Sequence, residues 1–104
     1  MKPAIIYARE IAGEDVMEQI ERCRQYASAH DWRLVSAFVD LRVEGPAYRL
    51  GLRAIMDMVE AGDIEVVIAS APEMMSKDAM RIESIREDLQ GKSCELRFAS
   101  DGIG

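Results

Sequence analysis

The feature that most restricts what this 104-residue chain can fold into is a regular alternation of two kinds of segment. Pro3 to Ala8 is a short, apolar, β-favouring run that ends in charge and glycine, the pattern of a strand buried on both faces. From Glu14 to His30, Val16, Met17, Ile20, Cys23, Tyr26 and Ala27 recur three and four residues apart, with Glu18, Glu21, Arg22 and Gln25 between them. That spacing predicts an amphipathic helix. Trp32 to Val39 is rich in large and β-branched residues and predicts a second strand ending at Asp40. After a loop with Gly45 and Pro46, Leu52, Ile55, Met56 and Val59 mark a second helix stopped by Gly62. Ile64 to Ala69 reads as the third strand. Pro72 breaks the chain, Ser76 is the expected cap, and Met75, Ala79, Ile82, Ile85 and Leu89 form the stripe of a third helix ending near Gly91. Cys94 to Ala99 is the fourth strand.

Strands joined through helices need crossover connections, and crossovers make neighbouring strands parallel. The expected fold is therefore a three-layer, doubly wound α/β domain: a mainly parallel four-stranded sheet with helices on both faces. Its length suits one core, so residues 1–104 are expected to form a single domain.

Composition narrows the function classes. No apolar run approaches the roughly 20 residues of a membrane span, and the opening residues lack a signal-peptide pattern, so a cytoplasmic protein is expected. Cys23 and Cys94 are too few for a disulfide framework and are expected reduced and buried. With one histidine, His30, and no close cysteine pair, no metal site or other cofactor is expected. A formal net charge of −6 works against neutralising many phosphates, so DNA is a weak partner at best and a protein partner the better expectation.

In open parallel sheets the functional crevice lies beyond the carboxyl ends of the strands. The loops there carry Arg9, Glu10, Asp40, Arg42, Glu44, Arg49, Ser70, Glu73 and Lys77. Arg9, Arg42, Arg49 and Lys77 could hold a phosphate, since guanidinium offers it a planar fork of donors. The plainer reading, a solvated rim with local ion pairs, is the better supported from composition. A magnesium pocket at Glu10, Asp40, Glu44 and Glu73 has little support, because no strand end pairs two acids. Ser70 lacks the glycines of a nucleophile elbow and reads as a turn residue. Gly13 stands alone after strand one, which excludes a Gly-rich phosphate loop. The methionines at helical spacing read as core filling, with Met74, outside the helix, the exception. The loop from Arg9 to Asp15 holds no hydroxyl or thiol nucleophile.

Tyr7-Ala8-Arg9, Gln19-Ile20-Glu21 with Tyr26-Ala27, Phe38-Val39-Asp40, Val43-x-Gly45, Arg49-x-Gly51-Leu52, the run from Glu60 to Ile68 and Glu95-Leu96-Arg97 follow one another in an order and spacing that resembles the catalytic domain of the serine recombinases, the resolvase and invertase family. The resemblance implies the resolvase catalytic-domain fold. It also implies a chemistry in which a serine after Tyr-Ala-Arg attacks a DNA phosphate to form a phosphoserine link while arginines stabilise the transferring group. Here the serine position falls on Ile11, and nothing from Met1 to Ala27 carries an aliphatic hydroxyl, so covalent catalysis there is not expected. The family's Asp-Arg-x-x-Arg segment appears as Glu73-Met74-Met75-Ser76-Lys77, while Arg9 and Arg49 match family arginines. Family members continue into a dimerisation helix and a DNA-binding module; this sequence is expected to lack both. Taken together, the resemblance implies a protein inactive in strand cleavage, bound to a partner that is itself or a related recombinase, with residual DNA binding as the alternative.

Overall fold

A computed structural model describes residues 1–41 and 49–102. Four strands, β1 (Pro3–Arg9), β2 (Arg33–Asp40), β3 (Val66–Ala69) and β4 (Glu95–Phe98), form one sheet in the order β2-β1-β3-β4, with every pairing parallel. Three helices connect them: α1 (Val16–Ala29), α2 (Leu50–Glu60) and α3 (Ala79–Gln90). Short 3₁₀ turns follow β3 (Pro72–Met74) and β4 (Ala99–Asp101). The expected architecture is the one observed.

Strand β1 explains how the layers are assembled. Ala4, Ile5, Ile6, Tyr7 and Ala8 are all buried, and the first four alternate between two cores. Ala4 and Ile6 pack with Cys23, Tyr26 and Ala27 of α1; Ile5 and Tyr7 pack with Ile55 and Val59 of α2 and Leu89 of α3. Parallel crossovers are right-handed, so a chain stepping from β1 to β2 and then back past β1 to β3 must place its connections on opposite faces. Accordingly α1 covers one face, while α2 and α3 cover the other.

Element ends differ from the sequence reading by one or two residues, and local hydrogen bonding accounts for the main shift. Ser76 does not cap α3. Its Oγ accepts from the Asp78 N–H at 3.1 Å in a turn, and the Asp78 carboxylate caps the helix by accepting from the Met80 N–H at 3.0 Å. Met75, expected on the α3 stripe, precedes the helix and is fully buried in the core. Met74 is also buried, so it belongs with the core-filling methionines rather than with an exposed surface. Gly62 ends α2 as expected, with its N–H on the Val59 carbonyl and φ at +82°, a conformation that costs glycine little.

Candidate functional site

The chain steps outward from β1 to β2 and returns on the other side to β3, so the crevice between the carboxyl ends of β1 and β3 is the switch point of the sheet. Its floor is a buried polar relay. The Tyr7 hydroxyl donates to Asp40 Oδ2 at 2.8 Å, and Arg49 Nε donates to the same hydroxyl at 3.1 Å. The Arg49 guanidinium lies 5.4 Å from the Tyr7 ring centroid, and its two terminal nitrogens donate to the carbonyls of Met75 and, at 2.7 Å, Met74. Burial and the bond to Asp40 push the Tyr7 phenol up to about 12, so it stays protonated and donating at neutral pH.

Asp40 does a second task. The residue flanking the start of α2, Arg49, supplies no side-chain cap. The Asp40 carboxylate reaches across from β2 instead, accepting from the Gly51 N–H at 2.5 Å and the Leu52 N–H at 3.2 Å. Negative charge at a helix N-terminus satisfies donors that have no partner inside the helix. The approach is so close that a Cβ on Gly51 would stand 2.8 Å from Asp40 Oδ1, so residue 51 has no room for a side chain. Sequence reasoning placed Asp40 on a charged rim; it is buried, and one carboxylate ties together β1, β2 and α2.

The end of β1 is held by a residue that reached the sequence reading only through family resemblance. Gln19 is fully buried, its Oε1 accepting from the Arg9 N–H at 3.0 Å and its Nε2 donating to the Arg9 carbonyl at 2.8 Å. The side-chain amide thus pairs with the main chain as a neighbouring strand would. The signal was available: Gln19 lies three residues after Val16 and four before Cys23, a polar residue on the apolar face of α1.

Beyond Arg9 the chain closes a tight turn, with the Glu14 N–H on the Ile11 carbonyl at 3.0 Å and Gly13 at φ +84°. Positive φ at the third residue and not the second is the type II pattern. Ile11 packs against the core cluster that contains Tyr7, Met74 and Met75. Arg9 is half-buried, Glu73 and Lys77 are exposed, and neither Arg9 nor Lys77 forms an ion pair with a described acid. Ser70 is buried at the end of β3, where its carbonyl accepts from the Ser100 N–H. Arg42, Glu44, Gly45 and Pro46 lie outside the described residues. Among the described residues no three acids, histidines or cysteines converge on a possible metal position, and no helix is long and apolar enough to cross a membrane. Cys23 and Cys94 are free and buried, and burial pushes their thiols up to about 12 and about 11.

Fold and crevice together define a doubly wound domain of resolvase type, and sequence comparison agrees. The family model "Resolvase, N terminal domain" matches residues 4–104, and the chain belongs to that family. A resolvase-family site-specific recombinase from Streptococcus pneumoniae superposes with a TM-score of 0.85 at 20% identity, over 99% of this chain and 75% of that one. The N-terminal catalytic domain of TP901-1 integrase gives 0.84 at 20% identity, over 96% and 78%. The C-terminal catalytic domain of ISC1926 TnpA, an IS607-like serine recombinase, gives 0.80 at 24% identity, over 93% and 70%. No curated protein sequence gives a significant match.

Proposed function

We propose that this chain is a resolvase-family scaffold that does not cleave DNA and that acts in recombination or on a mobile element by binding a protein, itself or a related recombinase. The observation that carries this reading is Ile11. The residue that resemblance aligns with the nucleophilic serine has no lone pair to attack phosphorus and is packed against the core. The charge-stabilising side supports the same reading. Met74, aligned with a family arginine, is buried and uncharged; Lys77, aligned with another, offers a point charge in place of a fork. The Arg49 fork is already turned onto Tyr7 and two main-chain carbonyls. Electrostatic stabilisation of a transferring phosphoryl group depends on such donors being free and aimed at it.

The test is a cleavage assay on supercoiled DNA, alone and with an active serine recombinase, followed by denaturing gels. No covalent protein–DNA adduct forms with this chain, and the recombinase co-purifies with it or changes its rate in its presence. An SDS-stable adduct on this chain, or the absence of any association with itself or with the recombinase, overturns the reading.

A second reading keeps residual phosphate or DNA binding through Arg9, Arg42, Arg49 and Lys77. It is favoured by the absence of ion pairs between Arg9 or Lys77 and the described acids. It predicts DNA retention that falls steeply with salt and disappears in Arg9→Ala. Retention that is absent or insensitive to salt removes it.

A further inference from the structure

We propose that the outer edge of β2 is a self-association surface on which two copies of this chain pair their β2 strands antiparallel, about a two-fold axis at Ala37, into one continuous eight-stranded sheet. This deepens the self-binding arm of the role proposed above and is separable from the loss of cleavage, because a chain that cleaved DNA could pair in the same way.

The first support is the direction of the main-chain groups. Among the described residues β2 is an edge strand, paired to β1 on one side only. The Arg33 N–H donates to the Lys2 carbonyl at 2.9 Å, and the Asp40 carbonyl accepts from the Glu10 N–H at 2.9 Å, so both residues face β1. In a parallel ladder the residues alternate between the two sides. Following the observed register from Arg33 to Asp40 leaves Leu34, Ala37 and Val39 with their N–H and C=O groups turned to the open edge. Such a row of unpaired groups is a template for another strand.

The second support is the lack of protection. Natural edges are guarded by charge, proline or a bulge; Leu34-Val35-Ser36-Ala37-Phe38-Val39 contains no charge and no proline, and its single bulge lies near one end. Val35, Ser36 and Ala37 are exposed. The one irregularity is a bulge: Ala4 pairs with Leu34 and Ile5 with Ser36, leaving Val35 as the extra residue.

The third support says which strand fits. Because the bulge adds one residue, the edge becomes self-complementary about Ala37. Antiparallel pairing with a second copy sets Ala37 against Ala37, Leu34 against Val39, Ser36 against Phe38 and Arg33 against Asp40. The outward-facing residues then meet one another as hydrogen-bonded pairs, which is what an antiparallel ladder requires. The charges match as well. Arg33 is exposed and forms no ion pair with a described acid, and Asp40 accepts three hydrogen bonds where a carboxylate offers about four sites. Beside Asp40 an open groove of about 470 Å³ runs between the ends of β2 and α2, flanked by Leu41 and Leu50, 67% and 65% exposed. The aliphatic stem of the second copy's Arg33 would fill it, which commits the edge to another copy of this chain rather than to an arbitrary peptide.

Sedimentation velocity on the intact protein tests the idea, with a dissociation constant expected on the order of tens of micromolar, as suits a contact smaller than a standard interface. Ala37→Pro removes an N–H that faces solvent, a position where edge strands tolerate proline, so its circular dichroism should be unchanged while the dimer is lost. Ala37→Cys should be joined into a covalent dimer by a short bifunctional thiol reagent, because the paired Cα atoms would stand about 5.5 Å apart. Arg33→Cys, opposite residue 40, should not. Wild-type protein that stays monomeric at a hundredfold higher concentration overturns the proposal, as does dimerisation that survives in folded Ala37→Pro or cross-links equally well at Arg33→Cys. A catalytically silent, monomeric protein that still binds the recombinase would sink this edge and leave the role proposed above standing; an SDS-stable adduct from a β2-paired dimer would do the reverse.

Discussion

Two arginines on opposite faces of the sheet begin with the same contact and end differently. Arg49 donates through Nε to the Tyr7 hydroxyl at 3.1 Å, and Arg97 donates through Nε to the Tyr26 hydroxyl at 3.1 Å. Each guanidinium also lies over an aromatic ring, Tyr7 for Arg49 and both Tyr26 and Trp32 for Arg97. The remaining Arg49 donors go to main-chain carbonyls of a buried turn, and its tyrosine passes the chain of bonds on to buried Asp40. The remaining Arg97 donors go to Glu95 and to His30 Nε2 at 3.5 Å, and its side chain keeps 30% of its exposure. The first arrangement fixes backbone, because Met74 and Met75 are buried and their carbonyls take charged donors from Arg49. The second clamps a surface, where water can replace any partner.

That difference is tested first at the carboxylate end of the Arg49 relay. Asp40→Ala strips the acceptor from the Tyr7 hydroxyl and from the Gly51 and Leu52 N–H groups, and should cost roughly 3–4 kcal/mol in denaturant unfolding. Gly51→Ala leaves the carboxylate but pushes a methyl into it, for roughly 1–3 kcal/mol. A loss under about 1 kcal/mol for Asp40→Ala would mean that water can enter the relay, and the contrast with Arg97 would collapse.

Arg49→Met comes next, at roughly 2–3 kcal/mol, since two carbonyls lose charged donors. It carries a spectroscopic signature as well. The Tyr7 phenol is raised from 10.0 to about 12 by burial first and by its bond to Asp40 second, against the lowering effect of Arg49. Between those values the folded chain holds a proton that the unfolded chain has released. This contribution is therefore complete below pH 10 and is lost as pH climbs towards 12. The buried thiols, raised from 9.0, act in the same direction from pH 9 upward. Tyrosinate absorbance should show one phenol titrating with alkaline unfolding in the wild type, and later still in whatever fraction of Arg49→Met stays folded. A Tyr7 phenol titrating near 10 in folded protein, assigned by the signal that Tyr7→Phe removes, would contradict the buried relay.

These ties also mark how far the sequence could be read. Periodicity was enough for the sheet and three helices, because Ile5 and Tyr7 recur at strand spacing and Ile55 and Val59 at helix spacing, and with Leu89 they are buried in one core. The residues of the crevice were legible as types and in order along the chain. Their partners were not: Asp40 and Tyr7 are 33 residues apart and Arg49 and Met74 are 25 apart, and such pairings are fixed only once the strands are in register. Ser76 and Asp78 show the same limit at short range, since both can cap a helix and only the turn geometry selects Asp78.

On the other face, Arg97→Ala removes a partly exposed cation from two aromatic rings, and should cost about 1 kcal/mol. Trp32, the only tryptophan, stacks on His30 with centroids 4.4 Å apart and sits beneath this guanidinium, so its emission should shift as the cover is lost. A cost equal to that of Arg49→Met would show that solvent cannot replace Glu95 and His30, and would make the two faces alike.

The smallest effect is expected at the end of the same surface network, where Lys2 Nζ lies 2.8 Å from Glu95 Oε2 with both side chains about half exposed. The bond to Glu95 raises Lys2 above 10.5, and the bond to Lys2 holds Glu95 below 4.5. The carboxylate's contribution is present above pH 4.5 and is lost as pH falls through its lowered value. The ammonium's contribution is present below pH 10.5 and is lost as pH rises through its raised one. The wild type should therefore exceed Lys2→Ala by a small, flat margin across neutral pH, and the margin should close at both ends. Molar salt should erase it as well, because a pair this exposed is screened within a few ångströms. If the margin persists in molar salt, the contact is shielded from water, and the surface network around Arg97 is more like the Arg49 relay than its exposure suggests.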